Sequence, residues 1–415
     1  MNSAHISRRI FVRGAAFSSL SLLLAFAGCK PAEDTTNSSA PAGNTAPSSS
    51  STGNSASTTT ASTGGTIAIG HYGSLTGTTA TFGKSTDNGI RMAFDEINAK
   101  NPPLGKKLEL FTEDDASRTE QVPQVVQKLI NQNNVLVLMG EVASSRSLAA
   151  APIAQQSKVP MVTASSTNPK VTQVGDFIFR TCFIDLFQGR VMAEFARNNL
   201  KVKKVAILKD EANDYSKGLT EVFTKQWNKA GEQVVATESY SEGDKDFQSQ
   251  LTKIKGTNPD AIFIPGYYSE VGNIAVQARR LGLKQPLLGC DGWDSPKLYQ
   301  IGGAALEGCY FSNHYTSQSK DPRVVKFVND YKGRYGEVPD AIGAVAYDAA
   351  YIVADAIKRA GSEDRQKVRD ALATTKDYPG VTGTISIDKN RDAVKPAVVV
   401  KIADGHENYV TTIKP

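Results

Sequence analysis

The sequence predicts an α/β protein of two doubly wound lobes that are interleaved along the chain. Three observations carry this expectation. Short apolar runs alternate with helical periodicities from residue 66 onward. A second series of the same kind begins after residue 183, and three helical patterns followed by two strands come after Cys309. Alternation of this sort implies parallel sheets with helices on both faces. Helices that arrive so late must cover a sheet already laid down, and the last strands must pair with an existing one.

The N-terminus reads as an address. Residues 7–13, SRRIFVR, resemble a twin-arginine export signal, and the apolar run AAFSSLSLLLAFA at 15–27 falls short of the ~18 or more residues that span a bilayer. AFAGC resembles a bacterial lipobox in which Cys29 becomes the acylated N-terminus, with Phe26 departing from the usual Leu or Val. From Pro31 to Gly65 the chain holds no Val, Ile, Leu, Met or aromatic residue, so it cannot bury a core and is expected to be a flexible tether. At roughly 5–6 Å × √n its 35 residues reach on the order of 30–35 Å. The expectation is a protein lipid-anchored to a membrane outside the cytoplasm.

The body then unfolds in order. TIAIGH (66–71) is a buried strand, and Ile90, Ala93, Phe94 and Ile97 recur at helical spacing. KLELF (107–111) is a strand, Val122, Val125, Val126 and Leu129 mark a helix face, and VLVLMG (135–140) is a strand again. A helix from about Ser145 and the strand VPMVTA (159–164) follow. After DFIFRTCF (176–183) the second series runs through KKVAILKD (203–210), a helix around Leu219, Phe223 and Trp227, QVVATES (233–239), the helix FQSQLTKIK, AIFIPGY (261–267) and the helix VGNIAVQARRLG. The helical patterns at 321–336, 341–361 and 364–376 precede the strands GTISID and AVVVKIA.

Composition excludes several functions. The 415 residues are 40% hydrophobic and 21% charged, ample for a core and for two or more domains. Setting aside the three arginines of residues 1–28 leaves 44 basic against 42 acidic residues, which does not suggest nucleic acid. GTTATFGKS (77–85) has five residues between its glycines instead of the four a phosphate-binding loop requires, so it reads as a turn before a helix. The four histidines show no metal-protease spacing, GYYSEVG does not fit a nucleophile elbow, and Cys and His do not cluster for zinc. Neither catalysis, a metal nor a cofactor is expected. Asp114-Asp115 in FTEDDASR reads as a solvated turn after a strand. If Cys29 carries lipid, Cys290 and Cys309 flank a short segment and could form a disulfide in an oxidising compartment, leaving Cys182 over.

Two strand ends are rich in hydroxyls, MGEVASSRSL after the third strand and VTASSTNP after the fourth. In open α/β sheets ligands sit outside the carboxyl ends of the strands, where helix N-termini present free N–H groups, so both stretches could hold a carboxylate.

From about Gly65 to Pro415 the chain resembles the leucine/isoleucine/valine-binding proteins of bacterial ABC transporters. The resemblance rests on FGKSTDNGIRMAFDEINAK, GEVASS, TASSTNPKVTQ, FRTCFIDLFQG, DYSKGL, GYYSEVGNIAVQARRLGL, GCDGWDSP and AYDAAYIVADAI, in order and at the family's spacing. It implies a type I periplasmic binding protein, with three crossings between the lobes and a ligand cleft that closes. The crossings are expected near Asp185, His314 and Gly383. Lobe 1 then spans 66–185 plus 315–383 and lobe 2 spans 186–314 plus 384–415. By the same resemblance, Ser144 would bind an amino acid's α-carboxylate, Ser165 would offer its carbonyl to the α-ammonium, and Thr167 would touch both. Across the cleft Asp291 would pair with the ammonium, Tyr267 would bind on the carboxylate side and Tyr215 would close over the ligand. Phe82, Val142, Ser166, Trp293 and Ile342 would line the side-chain pocket, with Arg146 and Lys84 solvated on its rim. The implied function is a monomeric solute-binding protein that delivers a small amino acid, branched-chain or apolar, to a membrane ABC permease. A ligand-sensing domain, or a site for a related small amide or aromatic acid, would use the same cleft.

Overall fold

Strands buried on both faces need no polar alternation, and several short strands here are of that kind: Val137–Met139, Met161–Thr163 and Ala261–Phe263 are buried throughout. The computed structural model describes residues 65–415, so the expected export signal, Cys29 and the linker before residue 65 lie outside the described residues. The strands are β1 (Thr66–Gly73), β2 (Lys107–Asp114), β3 (Val137–Met139), β4 (Met161–Thr163), β5 (Ile178–Arg180), β6 (Lys204–Asp210), β7 (Gln233–Tyr240), β8 (Ala261–Phe263), β9 (Leu287–Gly289), β10 (Tyr310–Asn313), β11 (Tyr378–Gly380), β12 (Gly383–Ile387), β13 (Ala393–Val394), β14 (Ala397–Ala403) and β15 (His406–Ile413). The α-helices are α1 (Ala80–Lys100), α2 (Val122–Asn131), α3 (Ser144–Gln156), α4 (Lys170–Gln173), α5 (Asp185–Asn198), α6 (Asp214–Lys229), α7 (Gln248–Gly256), α8 (Tyr268–Arg280), α9 (Pro296–Gly302), α10 (Pro322–Tyr335), α11 (Ala341–Ala360) and α12 (Arg365–Ala373). No described helix is long and apolar enough to cross a membrane.

Two lobes follow from two sheets. The first is parallel, in the order β2-β1-β3-β4-β5. The second runs β15-β14-β10-β9-β8-β6-β7, parallel from β7 to β10 and antiparallel where β14 and β15 are added. Each sheet reverses its strand order once, at β1/β3 and at β6/β8. Such switch points open a crevice beyond the carboxyl ends of the strands.

On one face of the first sheet Ile90, Ala93 and Phe94 of α1 pack with Val345, Ala349 and Val353 of α11. The two helices approach so closely that a Cβ on Gly89 would lie 2.3 Å from the Gly343 carbonyl. On the other face α2 and α3 contribute Val126, Leu129, Ala150 and Ala151. The late helices α11 and α12 therefore cover the first sheet, while β14 returns to the second, and the interleaving expected from the sequence is present. The helix α5 and the last strand β15 were not anticipated.

Two expectations require correction. Cys290 and Cys309 are free, buried thiols. The parallel β9–β10 register sets Tyr310 beside Leu288 and Phe311 beside Gly289, so the two cysteines are three strand steps out of line. At ~3.3 Å per step that is about 10 Å, beyond the ~7 Å a disulfide tolerates. Second, the chain does not leave the first lobe's core at Gly383. Ile385 and Ala393 still pack in that core, and β12 and β13 form a small antiparallel sheet with β11 beside it.

Arg180, at the end of β5, ties these parts together. Wholly buried, it pairs with Asp392 at 2.6 Å and donates to the carbonyls of Ser166 (2.6 Å) and Asn168 (2.8 Å). Removing it strands a buried carboxylate and two carbonyls. Arg180→Met is expected to lower unfolding stability by about 3–5 kcal/mol, measured in guanidinium chloride, and a loss under about 1 kcal/mol would contradict this accounting.

Candidate functional site

The carboxyl ends of six strands meet in one crevice, and the loops that follow them carry the polar residues. After β3 comes Glu141 to Ser144, after β4 Ser165 to Asn168, and after β5 Asp185. From the second sheet come Asn213 to Tyr215 after β6, Tyr267 after β8 and Asp291 after β9. Local chemistry sets each of them. Asn213 caps α6, accepting from the N–H groups of Tyr215 and Ser216, and so fixes where Tyr215 begins the helix. Thr163 Oγ1 accepts from the N–H of Ser166 at 2.9 Å and donates to the Glu141 carbonyl at 2.7 Å, which folds the hydroxyl-rich loop after β4 against the one after β3.

The two walls are in contact. The Tyr268 hydroxyl donates to the Thr78 carbonyl (3.1 Å) and accepts from the Thr81 N–H (3.3 Å). Asp214 donates its N–H to Ser145 Oγ at 2.9 Å, while Asn168 donates to the Asp214 carbonyl at 2.8 Å. Glu242 accepts from Thr78 at 3.0 Å and stands 3.7 Å from Arg146. Phe82 of α1 meets Tyr267 and Tyr268 edge-on at 5.5 and 4.9 Å. The crevice is closed.

Inside it, all six residues expected to touch a ligand are buried: Ser144, Ser165, Thr167, Tyr215, Tyr267 and Asp291. The Tyr215 hydroxyl donates to Asp291 Oδ1 at 2.9 Å and accepts from the Gly292 N–H at 3.0 Å, and its ring stacks on Tyr267 at 5.1 Å. Ser144 Oγ, at the first turn of α3, accepts from the Asn168 N–H at 3.3 Å, joining the two hydroxyl-rich loops. The hydroxyls of Ser165, Thr167 and Tyr267 are buried without a protein partner. Such atoms are costly unless something else bonds them.

The expected side-chain pocket is assembled in part. Phe82, Val142 and Ile342 come from the first lobe but belong to the same buried apolar cluster as Tyr215 and Tyr267. Ser166 does not offer its hydroxyl there. That oxygen is spent on the carbonyls of Glu141 (2.7 Å) and Val142 (3.0 Å) and on Ser147 (2.7 Å). Trp293 belongs to the same cluster, with its indole N–H donating to the Ile264 carbonyl at 2.9 Å and its ring where a side chain on Gly289 would stand.

The two charges expected on the rim differ in exposure. Lys84 is exposed, as expected. Arg146 is buried, 3.3 Å from buried Glu141, and donates to Thr79 Oγ1 (2.7 Å) and the Ser117 carbonyl (3.1 Å). Asp115 is likewise buried, not a solvated turn residue: it accepts from Ser74 Oγ at 2.7 Å, and Ser74 also donates to Glu141 at 2.9 Å. Burial, then the neighbouring Glu141 charge, pushes Asp115 up to about 7 despite Arg146.

Sequence reasoning missed two buried ionisable residues, Asp185 and His314. His314 Nε2 lies 3.0 Å from Asp291 Oδ2. Asp185 Oδ1 accepts from Gln188 at 2.9 Å, while Oδ2 lacks a well-formed partner even though the Thr167 hydroxyl is close enough to favour its ionised form. Burial nonetheless dominates and raises Asp185 to about 7. Asp185 had appeared only as a crossing point, and nothing in its local sequence distinguishes a buried helix-start aspartate from a solvated one.

A sequence profile described as periplasmic binding protein matches residues 66–407. The chain is similar to the solved structure of a leucine binding protein, LivK, from Thermotoga maritima (42% identity, TM-score 0.81), covering 84% of this chain and 99% of that one. It is similar to the branched-chain amino acid transporter substrate binding protein LivJ from Streptococcus pneumoniae, solved with isoleucine (34% identity, TM-score 0.81), covering 85% and 100%. It also resembles a solute binding protein of an ABC transporter from Rhodopseudomonas palustris solved with 3,4-dihydroxybenzoic acid (27% identity, TM-score 0.75), covering 84% and 97%.

A carboxyl raised to about 7 holds its proton in the folded chain at pH values where the unfolded chain has lost it. The stability Asp185 contributes is therefore full below the ordinary value of 3.8 and is lost as pH rises through about 7. Asp185→Asn, which keeps the acceptor for Gln188, is expected to raise stability at pH 8 by on the order of 2–4 kcal/mol and to leave it nearly unchanged at pH 3.5. The check is denaturant unfolding of both proteins at the two pH values; an equal effect at both would contradict the assignment.

Proposed function

The chain belongs to the periplasmic binding protein family, and we propose that it is the solute-binding protein of an ABC importer that captures an apolar, branched-chain amino acid in its closed crevice. One observation carries the reading. Three buried hydroxyls without protein partners, on Ser165, Thr167 and Tyr267, share a closed cleft with the buried carboxylate of Asp291. A zwitterion answers both halves of that arrangement. Its carboxylate would be met by Ser144 and the Thr167 N–H at the first turn of α3 and its neighbouring loop, with Tyr267 across from them. Its ammonium would be met by the Ser165 carbonyl, the Thr167 hydroxyl and Asp291, with Tyr215 closing over it. An unpaired buried ammonium would be very costly, so an acidic partner is needed.

The apolar walls offered by Phe82, Val142, Ile342 and Trp293 suit an aliphatic side chain, and a Ser166 hydroxyl bonded to the scaffold leaves the pocket more apolar. We place the lobes at 66–185 plus 315–395 and 186–314 plus 396–415, with the third crossing moved from Gly383 because Ile385 and Ala393 pack in the first core. Ligand contacts from both lobes would favour the closed state by differential affinity, and nothing chemical need happen to the ligand. Lipidation at Cys29 and the linker would hold a monomer at the membrane, within reach of the permease. A signalling partner could read the same closure, and a permease encoded beside this chain would favour transport.

The likeness to a protein solved with an aromatic acid supports a second reading, a carboxylic acid without an ammonium. Asp291 speaks against it, since a buried carboxylate would face such a ligand with nothing to neutralise. L-Leucine, L-isoleucine and L-valine are expected to raise the melting temperature, and benzoate and 3,4-dihydroxybenzoate are not. Asp291→Ala is expected to weaken L-leucine binding by about 2 kcal/mol or more, roughly 30-fold, in calorimetry. Unchanged affinity in that variant, or stabilisation by the aromatic acids alone, would turn the reading toward the second class.

A further inference from the structure

The carboxylate of Asp291 is bracketed on both oxygens. Tyr215 donates to Oδ1 at 2.9 Å, and His314 Nε2 lies 3.0 Å from Oδ2. His314 follows β10 directly, at the second crossing between lobes, and is itself fixed. Its N–H donates to Asn313 Oδ1 at 2.8 Å, and its ring stacks on Phe183 at 3.9 Å and 29°. Only 1% of the residue is exposed, and Nδ1 is buried without a partner.

The protonation state follows from this geometry. An ionised Asp291 can only accept, so Nε2 must carry the hydrogen. On a neutral ring Nδ1 is then a bare acceptor, whereas on an imidazolium it would be a buried N–H donor without a protein acceptor. Burial accordingly holds His314 below its ordinary 6.5, with the hydrogen bond and charge of Asp291 opposing. A neutral His314 orients the carboxylate and leaves its full negative charge for a ligand; a charged one would cancel that charge and repel an ammonium.

We propose that His314 is the positioning residue for Asp291, and that the crevice holds an ammonium-bearing ligand more tightly while His314 is neutral, so that acidification weakens its hold. This rests on the amino-acid reading given above. The other ionisable groups around His314 are Asp294, beyond the turn after β9, and Lys395, before β14, which oppose one another in their effect on it. Tyr315 follows it in the chain. Asp185, which acts on Asp291, is raised to about 7 and also gains a proton in acid, so any acid response must be divided between the two.

The division is made by titrating L-leucine calorimetrically into the full chain, its His314→Gln variant and its His314→Leu variant from pH 8 to 4.5. The Gln amide can still donate to Oδ2 and does not titrate in this range; Leu cannot donate. For the wild type, affinity is expected to fall by about tenfold between pH 7.5 and 4.5, with the loss starting below about 6.5. His314→Gln should bind within about 3-fold of wild type at pH 7.5 and lose most of the acid response, whereas His314→Leu should lose about tenfold or more at pH 7.5. An acid response undiminished in His314→Gln would assign it to Asp185 and overturn the proposal, as would wild-type affinity in a folded His314→Leu. A wild type that binds no amino acid at any pH would instead overturn the amino-acid reading itself, and the role of His314 with it.

Discussion

The guanidinium of Arg180 is the joint on which the crevice is hung. It sits at the end of β5, fully buried, and reaches three places at once: the carboxylate of Asp392, the carbonyl of Ser166 and the carbonyl of Asn168. A planar fork with five donors is suited to this, because each N–H direction is fixed relative to the others. The loop after β4 has no regular structure to satisfy its backbone, and Arg180 supplies what a helix or strand would have supplied. In doing so it turns a run of hydroxyl residues into a rigid wall and pins the small sheet of β12 and β13 beside the first lobe.

Around that joint the polar groups divide into two populations. Glu141, Arg146, Asp115, Ser74, Ser147 and Ser166 bond mostly to one another and make the first lobe's loops stiff. Ser165, Thr167 and Tyr267 keep buried hydroxyls without a well-formed protein partner. The division follows from reach: Ser166 faces the carbonyls at the end of β3, whereas its neighbours on either side project away from them. Adjacent residues on extended chain point to opposite sides, so one step decides whether a hydroxyl serves the scaffold or the cleft. On the facing wall Asp291 is held between Tyr215, at the start of α6, and His314, just after β10.

Much of this was legible in the sequence. The alternation of strand and helix signals predicted two doubly wound lobes, and late helical patterns such as 341–361 implied a return to a sheet already formed. The six residues that the resemblance named for a ligand are all buried, on loops or helix starts beyond strand ends. Other features were not legible, for identifiable reasons. A disulfide between Cys290 and Cys309 looked reasonable by spacing, but strand register sets their separation. Ser166 was expected to face the pocket, yet its hydroxyl was claimed by the carbonyls of Glu141 and Val142 beyond β3. Arg146 looked like a rim charge because its partners Glu141 and Glu242 lie on loops whose approach no local pattern records.

By itself, then, the sequence determined what is periodic or contiguous: the α/β class, the strands and helices, the hydroxyl-rich strand ends, and the order in which the chain visits its two sheets. Those features depend on neighbours within a turn or a strand step, which a linear reading contains. Only the tertiary structure decided which polar atoms are spent and which are left, that Asp185 and His314 are buried, and that Asp291 is braced on both oxygens. These depend on groups brought within about 3 Å by strand pairing and lobe closure, where a shift of one residue exchanges a bonded hydroxyl for a free one.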